Sequence, residues 1–76
     1  RDVVTVGRDD DNAIVIDDLS VSLHHARVER KGKLWVVYDL GSSNGTSVQG
    51  RPTTENALKD GFEVQFGQVK LRFVQT

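Results

Sequence analysis

The segment Asp39-Leu40-Gly41-Ser42-Ser43-Asn44-Gly45-Thr46 concentrates the polar chemistry of this chain. Its last six positions hold two Gly, two Ser, one Asn and one Thr, with no charged side chain. Glycine reaches conformations that expose main-chain N–H groups. Ser, Asn and Thr add short side-chain donors and also bond local backbone in turns. A loop so rich in donors suits an anion or the main chain of a peptide. The same composition describes an ordinary turn between strands, and the loop alone does not separate the two. Gly7-Arg8 and Ser22-Leu23-His24-His25-Ala26 are the other segments with chemical capacity. Arg8 offers a planar, permanently charged fork, and Ser22 offers a hydroxyl.

The elements that must position these residues read as strands and turns throughout. Val3 to Val6 is a β-branched run, and Ala13 to Ile16 is a second apolar run. Arg8 to Asn12 and Asp17 to Ser22 read as loops, with Leu19 and Val21 expected to turn inward. From His25 to Arg30 the pattern alternates, placing Ala26 and Val28 toward a core and Arg27 and Glu29 toward water. Lys31-Gly32-Lys33 reads as a hairpin turn into Leu34 to Leu40, where Trp35 is the largest apolar side chain. Thr46 to Val48 is a short strand, Gln49-Gly50 a turn, and Arg51 to Gly61 a longer connection holding the single proline, Pro52. Phe62 to Phe66 and Val69 to Val74 form a last hairpin about Gly67-Gln68, with Val69, Leu71 and Phe73 on its inner face. Short strands separated by turns predict an all-β chain, a small β-sandwich of antiparallel or mixed strands. Such a fold gathers loops from different strands at one end.

Gly7-Arg8, Ser22-x-x-His25-Ala26, a hydrophobic strand with Trp35, then Asp39-Leu40-Gly41-Ser42-x-Asn44-Gly45-Thr46 and Val48-x-Gly50 follow one another in order. This ordered set resembles the forkhead-associated (FHA) domain, and the resemblance runs from Val4 to Phe73. It implies a module that binds phosphothreonine peptides in Ser/Thr-kinase signalling. A phosphothreonine carries about −1.5 to −2 charge and three strong acceptor oxygens. The resemblance assigns Arg8, Ser22 and Ser43 to the phosphate and Asn44 to the peptide main chain. It makes His25 a structural brace rather than a phosphate ligand. Gly7, Gly41, Gly45 and Thr46 fall in supporting positions. It further implies preference for phosphothreonine over phosphoserine, and specificity set by the residue three beyond the phosphothreonine, near Asp18–Val21 and Gln49–Thr54.

Each assignment competes with a plainer one. Arg8 can neutralise Asp9, Asp10 and Asp11, Ser22 can cap a turn, and Ser43 and Asn44 can stabilise their own loop. Asn12 reads as a turn residue. Leu23 departs from the family pattern, where Arg or Asn commonly follows the serine. Either the pocket grips phosphate more weakly, or Leu23 marks an apolar surface without phosphate dependence. His24 beside it is an imidazole, a side chain able to offer a cationic donor in mild acid. A phosphate-independent interaction or oligomerisation module on the same fold is therefore the alternative. Catalysis is set aside because Ser22 and His25 lie three residues apart on one segment, without a nucleophile-elbow sequence. A metal site is set aside because His24 and His25 would point to opposite faces of a strand. Asp9 to Asn12 also lacks the Gly and distal Glu of a calcium loop.

The 76 residues suffice for one small domain. A net charge of −1 argues against binding nucleic acid through a charged face. No apolar run approaches the roughly 20 residues of a membrane helix. With no cysteine, disulfides and thiolate metal sites are excluded. That fits a cytoplasmic or otherwise intracellular setting, and no cofactor is expected. Family members carry an N-terminal strand ahead of the Gly-Arg turn. The expectation is a fragment of a larger protein, lacking or truncated at that strand. A sheet edge left open this way could support homo-oligomerisation. The expected partner is a Thr-phosphorylated protein or peptide, including a segment of the same parent chain.

Overall fold

The computed structural model of the protein describes residues 2–75. The chain forms nine strands: β1 (Val3–Gly7), β2 (Ile14–Val15), β3 (Ala26–Lys31), β4 (Leu34–Asp39), β5 (Thr46–Val48), β6 (Arg51–Thr53), β7 (Glu55–Leu58), β8 (Glu63–Phe66) and β9 (Val69–Arg72). They make two sheets, one ordered β2-β1-β3-β4-β7 and the other β6-β5-β8-β9. The β1–β2 pair is parallel, and the other pairs are antiparallel. The result is the mixed β-sandwich expected from the strand pattern.

Alternation within the strands builds the core. Val6 pairs with Ala26 and Val28 with Val37 in one sheet, and Val48 pairs with Val64 in the other. With Val21, Leu58 and Phe66, the buried members of these pairs form the central apolar cluster. Each fully buried Val contributes about 1.5–3 kcal/mol relative to exposure. Trp35 is only partly buried and packs against this cluster.

Two expectations need correction. Arg51 to Gly61, read as a longer connection, contains two strands, β6 and β7. The chain leaves one sheet after Thr53 and joins the other at Glu55, so Thr54 makes the corner. Pro52 is tolerated because β6 is an edge strand. In β7 only Leu58 is fully buried, so tertiary pairing with β4 outweighs a poor strand composition. Leu19 does not turn inward. It is 89% exposed, whereas Val21 is fully buried.

β9 is an edge strand among the described residues. Its neighbour Phe73 and its own Leu71 border an apolar cleft between the sheets, of about 100 Å³, together with Val6, Ile14, Leu58 and Phe66. Among the described residues no helix is long and apolar enough to cross a membrane.

Candidate functional site

Three loops meet at one end of the sandwich. The first follows β1 (residues 8–13), the second precedes β3 (16–25), and the third joins β4 to β5 (40–45). The chain cannot separate the first two. The Arg8 N–H donates to the Ser22 carbonyl at 3.0 Å, and the Asp9 N–H donates to the Leu23 carbonyl at 3.2 Å. Gly7 is required at this seam, because a Cβ there would lie 2.2 Å from the Leu23 carbonyl oxygen.

Arg8 is anchored rather than free. Its Nε donates to the Val21 carbonyl at 3.0 Å, which fixes the plane of the guanidinium. Among the described residues its terminal nitrogens make no hydrogen bond or ion pair. Asp9 and Asp11 face His24 instead. His24 Nε2 lies 3.1 Å from Asp11 Oδ1 and 3.9 Å from Asp9 Oδ2. No ion pair joins Arg8 to the acidic run among the described residues.

Ser22 connects all three loops. Its N–H donates to His25 Nδ1 at 3.0 Å, and its Oγ accepts the Ser43 N–H at 3.0 Å. A hydroxyl that accepts from one side keeps its own proton for another partner. Ser22 O–H is thus a donor in waiting beside Arg8. The Ser43 N–H is engaged by Ser22, so Ser43 offers its exposed hydroxyl. Asn44 Nδ2 donates to the Ser20 carbonyl at 2.8 Å. A carbonyl can only accept, so the amide nitrogen must face Ser20. The exposed side chain then presents Oδ1 as an acceptor suited to a peptide N–H.

His25 is fully buried beneath these loops. Nδ1 accepts from Ser22, and Nε2 donates to the Gly45 carbonyl at 2.8 Å. Those partners fix the neutral tautomer with its proton on Nε2. Phe66 packs edge-on against the ring, with centroids 5.7 Å apart. Both ring nitrogens are spent on main-chain groups, so none remains to deprotonate the Ser22 hydroxyl.

The Gly-rich loop closes on Asp39. Its Oδ2 accepts the N–H groups of Gly41 and Ser42, and its Oδ1 accepts the hydroxyls of Ser42 and Thr46 at 2.6 and 2.8 Å. Gly41 and Gly45 have φ of 74° and 85°, which a side chain would strain. Burial pushes the Asp39 carboxyl upward, but the Ser42 and Thr46 hydroxyls and the Ser42 and Gly41 N–H groups outweigh it and hold the carboxyl below its ordinary range. A depressed carboxylate stabilises the fold above its unfolded-state value and loses that stabilisation as pH falls through its own lower value. Asp39→Asn is expected to cost about 2–3 kcal/mol at neutral pH, by leaving donors unsatisfied. In urea unfolding, the gap between wild type and variant should narrow as pH falls below the ordinary Asp value of about 3.9. A gap independent of pH would contradict the role given to the ionised carboxyl.

Two braces were not legible beforehand. Asn12 is buried, and its Nδ2 donates to the carbonyls of Asp9 and Leu23, both at 2.8 Å. Asp18 Oδ1 accepts both the N–H and the hydroxyl of Ser20. The Ser20 hydroxyl and N–H hold the Asp18 carboxyl below its ordinary range. Leu23 spends its carbonyl on Asp9 and Asn12 in the seam, while the residue as a whole is 48% exposed. Asp9, Asp11 and His24 bring possible metal-ligand atoms within 4.8 Å of one another. Asp9 is half-buried, Asp11 and His24 are exposed, and Asp11 already meets His24 Nε2 at 3.1 Å. The sequence reading missed it because it arises only when the first two loops meet.

A two-sheet sandwich with a cation, a hydroxyl and an amide converging on one apex defines a ligand-binding β module. The family model for the FHA domain matches residues 4–67, and the chain belongs to that family. It is 38% identical over 74 residues to the oxoglutarate dehydrogenase inhibitor of Corynebacterium jeikeium, an alignment covering 97% of this chain and 51% of that protein. It superposes, with a TM-score of 0.94 and 28% identity, on a structure from a structural and functional analysis of phosphothreonine-dependent FHA domain interactions; the match covers 100% of this chain and 79% of that one. It also superposes on Mycobacterium tuberculosis EmbR in complex with a low-affinity phosphopeptide, with a TM-score of 0.88 and 37% identity, over 95% of this chain and 19% of that one. The chain spans about half the length of the curated relatives it matches.

Proposed function

We propose that this domain recognises phosphothreonine peptides, acting as a binding module of a larger intracellular signalling protein. One observation carries the reading. Arg8, with its terminal nitrogens free of partners among the described residues, stands beside Ser22, whose hydroxyl proton is left available, and beside the loop bearing Ser43 and Asn44. Arg8 supplies the fixed cation, Ser22 and Ser43 supply hydroxyl donors, and Asn44 reads the peptide main chain. Charge-assisted contacts of this kind contribute roughly 1.5–3 kcal/mol each. Solved relatives studied for phosphothreonine-dependent interactions, or bound to a phosphopeptide, support the same ligand class. The partner in this reading is a Ser/Thr-kinase substrate, or a phosphorylated segment of the same protein.

Leu23 provides a test within the site. It occupies a position next to Ser22 where a donor could reach the ligand, and it offers only apolar surface. Leu23→Arg is expected to tighten phosphothreonine-peptide binding about tenfold, as one added charge-assisted contact would. Calorimetric titration reads this directly, and unchanged or weaker binding would argue against the placement of the phosphate.

A second reading is association without phosphate. It is favoured by the β9 edge and the apolar cleft beside it, which suit an added strand or a second copy. Sedimentation equilibrium decides this point: a purely monomeric domain at high concentration removes self-association.

A further inference from the structure

Three asparagines occur in the chain, and Asn44 alone is followed by glycine. That pair has a chemistry of its own. The Gly45 main-chain nitrogen can attack Asn44 Cγ, giving up its proton to water and expelling the side-chain nitrogen as ammonia. One C–N bond forms and one breaks, closing a succinimide ring. Water then opens the ring at either carbonyl and leaves aspartate or isoaspartate, so the net change is water in and ammonia out. A glycine at the attacking position sets no Cβ against the closing ring. Asn44 is exposed, so water reaches it. Asn12 and Asn56 are each followed by alanine, and Asn12 is buried with its amide held by two carbonyls.

The folded loop holds both reacting nitrogens in other bonds. The Gly45 N–H donates to Ser42 Oγ at 3.0 Å, and Asn44 Nδ2 donates to the Ser20 carbonyl at 2.8 Å. The Gly45 carbonyl is pinned by His25 Nε2 at 2.8 Å and by the Gly67 N–H at 3.1 Å. Attack requires Gly45 to leave Ser42 and Asn44 to leave Ser20, so the reaction waits on local opening of the loop. Its product does not suit the closed loop. A carboxylate has no N–H for the Ser20 carbonyl, and oxygen would face oxygen there. Arg8 is anchored on the next carbonyl along, that of Val21, with its terminal nitrogens free of partners among the described residues. A new carboxylate at this place is drawn to that charge.

We propose that Asn44–Gly45 is a self-modification site kept closed by the Ser42 and Ser20 bonds, and that its deamidation permanently blocks the apex by giving Arg8 an internal carboxylate. The modification is independent of the phosphothreonine reading, and the block rests on it. The test incubates the wild-type chain and Ser42→Ala in mildly alkaline buffer, with and without urea. Intact mass follows the exchange of nitrogen for oxygen, and peptide mapping places it. Asp60–Gly61 passes through the same ring without a change of mass, so the mass record reports asparagine alone. Conversion at Asn44 is expected to run at least about tenfold faster in urea than in the folded wild type. Folded Ser42→Ala should convert about fivefold faster than folded wild type, as the loss of one net hydrogen bond allows. If Ser42→Ala does not fold, the comparison of wild type with and without urea carries the test. Equal rates folded and unfolded, or no conversion at Asn44 in urea, would overturn the site. The converted chain is then refolded, separated by its added negative charge and titrated with a phosphothreonine peptide, beside Asn44→Asp and Asn44→Ala. Binding should fall at least about tenfold in the converted chain and in Asn44→Asp, and less in Asn44→Ala. A converted chain that binds as tightly as the unmodified one would overturn the block. An unmodified chain that binds the phosphothreonine peptide no better than its unphosphorylated parent would instead sink that reading and the block with it, while the mass record still decides the site.

Discussion

Arg8→Ala is expected to weaken phosphothreonine-peptide binding roughly ten- to hundredfold, the loss that follows from removing a charge-assisted contact of about 1.5–3 kcal/mol. The effect should fall on binding rather than folding. Among the described residues the side chain makes a single hydrogen bond, from Nε to the Val21 carbonyl. Losing that bond costs about 1 kcal/mol, a shift of roughly 4–8 °C in Tm for a domain of this size. Arg8→Lys should recover only part of the affinity. An ammonium keeps the charge but lacks the planar fork, so it cannot hold Val21 with one nitrogen while two others stand in a fixed plane toward the ligand. Calorimetry with one phosphothreonine peptide, paired with thermal melts, separates the two effects. Affinity in Arg8→Ala equal to wild type would remove Arg8 from the site.

The largest effect on stability is expected at His25. Its ring is fully buried and satisfies the Ser22 N–H on one side and the Gly45 carbonyl on the other. His25→Ala leaves the Ser22 N–H without a partner, at about 1–3 kcal/mol, strips the Gly45 carbonyl of one of its two donors, the other being the Gly67 N–H, and opens a cavity against Phe66. A total of about 3–6 kcal/mol is a large share of the roughly 5–15 kcal/mol that holds a small domain together. The melting temperature should fall by roughly 15 °C or more. The two loops lose their common brace at the same time, so ligand affinity should fall even at temperatures where the variant is folded. A variant with wild-type stability would mean that the ring is not the link between Ser22 and Gly45.

These two residues show what the sequence discloses and what it withholds. Arg8 and His25 stand out because their neighbours are unusual: a Gly-Arg pair closing a β-branched run, and a Ser three residues before a His. The strands that alternate cleanly, such as β3, were equally legible. The corner at Thr54 was not, because Glu55-Asn56-Ala57-Leu58 carries little strand propensity and gains its pairing only from β4. Asn12 was hidden for a related reason. An Asn in a polar loop has the composition of any turn, and its bonds to carbonyls three and eleven residues away exist only after the first two loops meet. Leu19 was misread because apolar character normally signals burial, whereas the turn that carries it is fixed by polar bonds of its neighbours. Arg8 itself was open to the plainer reading of neutralising Asp9–Asp11. Asp9 and Asp11 meet His24 instead, a contact between two loops that sequence order alone could not give.

The measurement that tests the account most directly is a titration of the domain with one phosphothreonine peptide, its phosphoserine version and its unphosphorylated parent, each repeated with Arg8→Ala. The account predicts binding confined to the phosphothreonine peptide and lost in the variant. Equal affinity for the phosphorylated and unphosphorylated peptides, unchanged by Arg8→Ala, would contradict it.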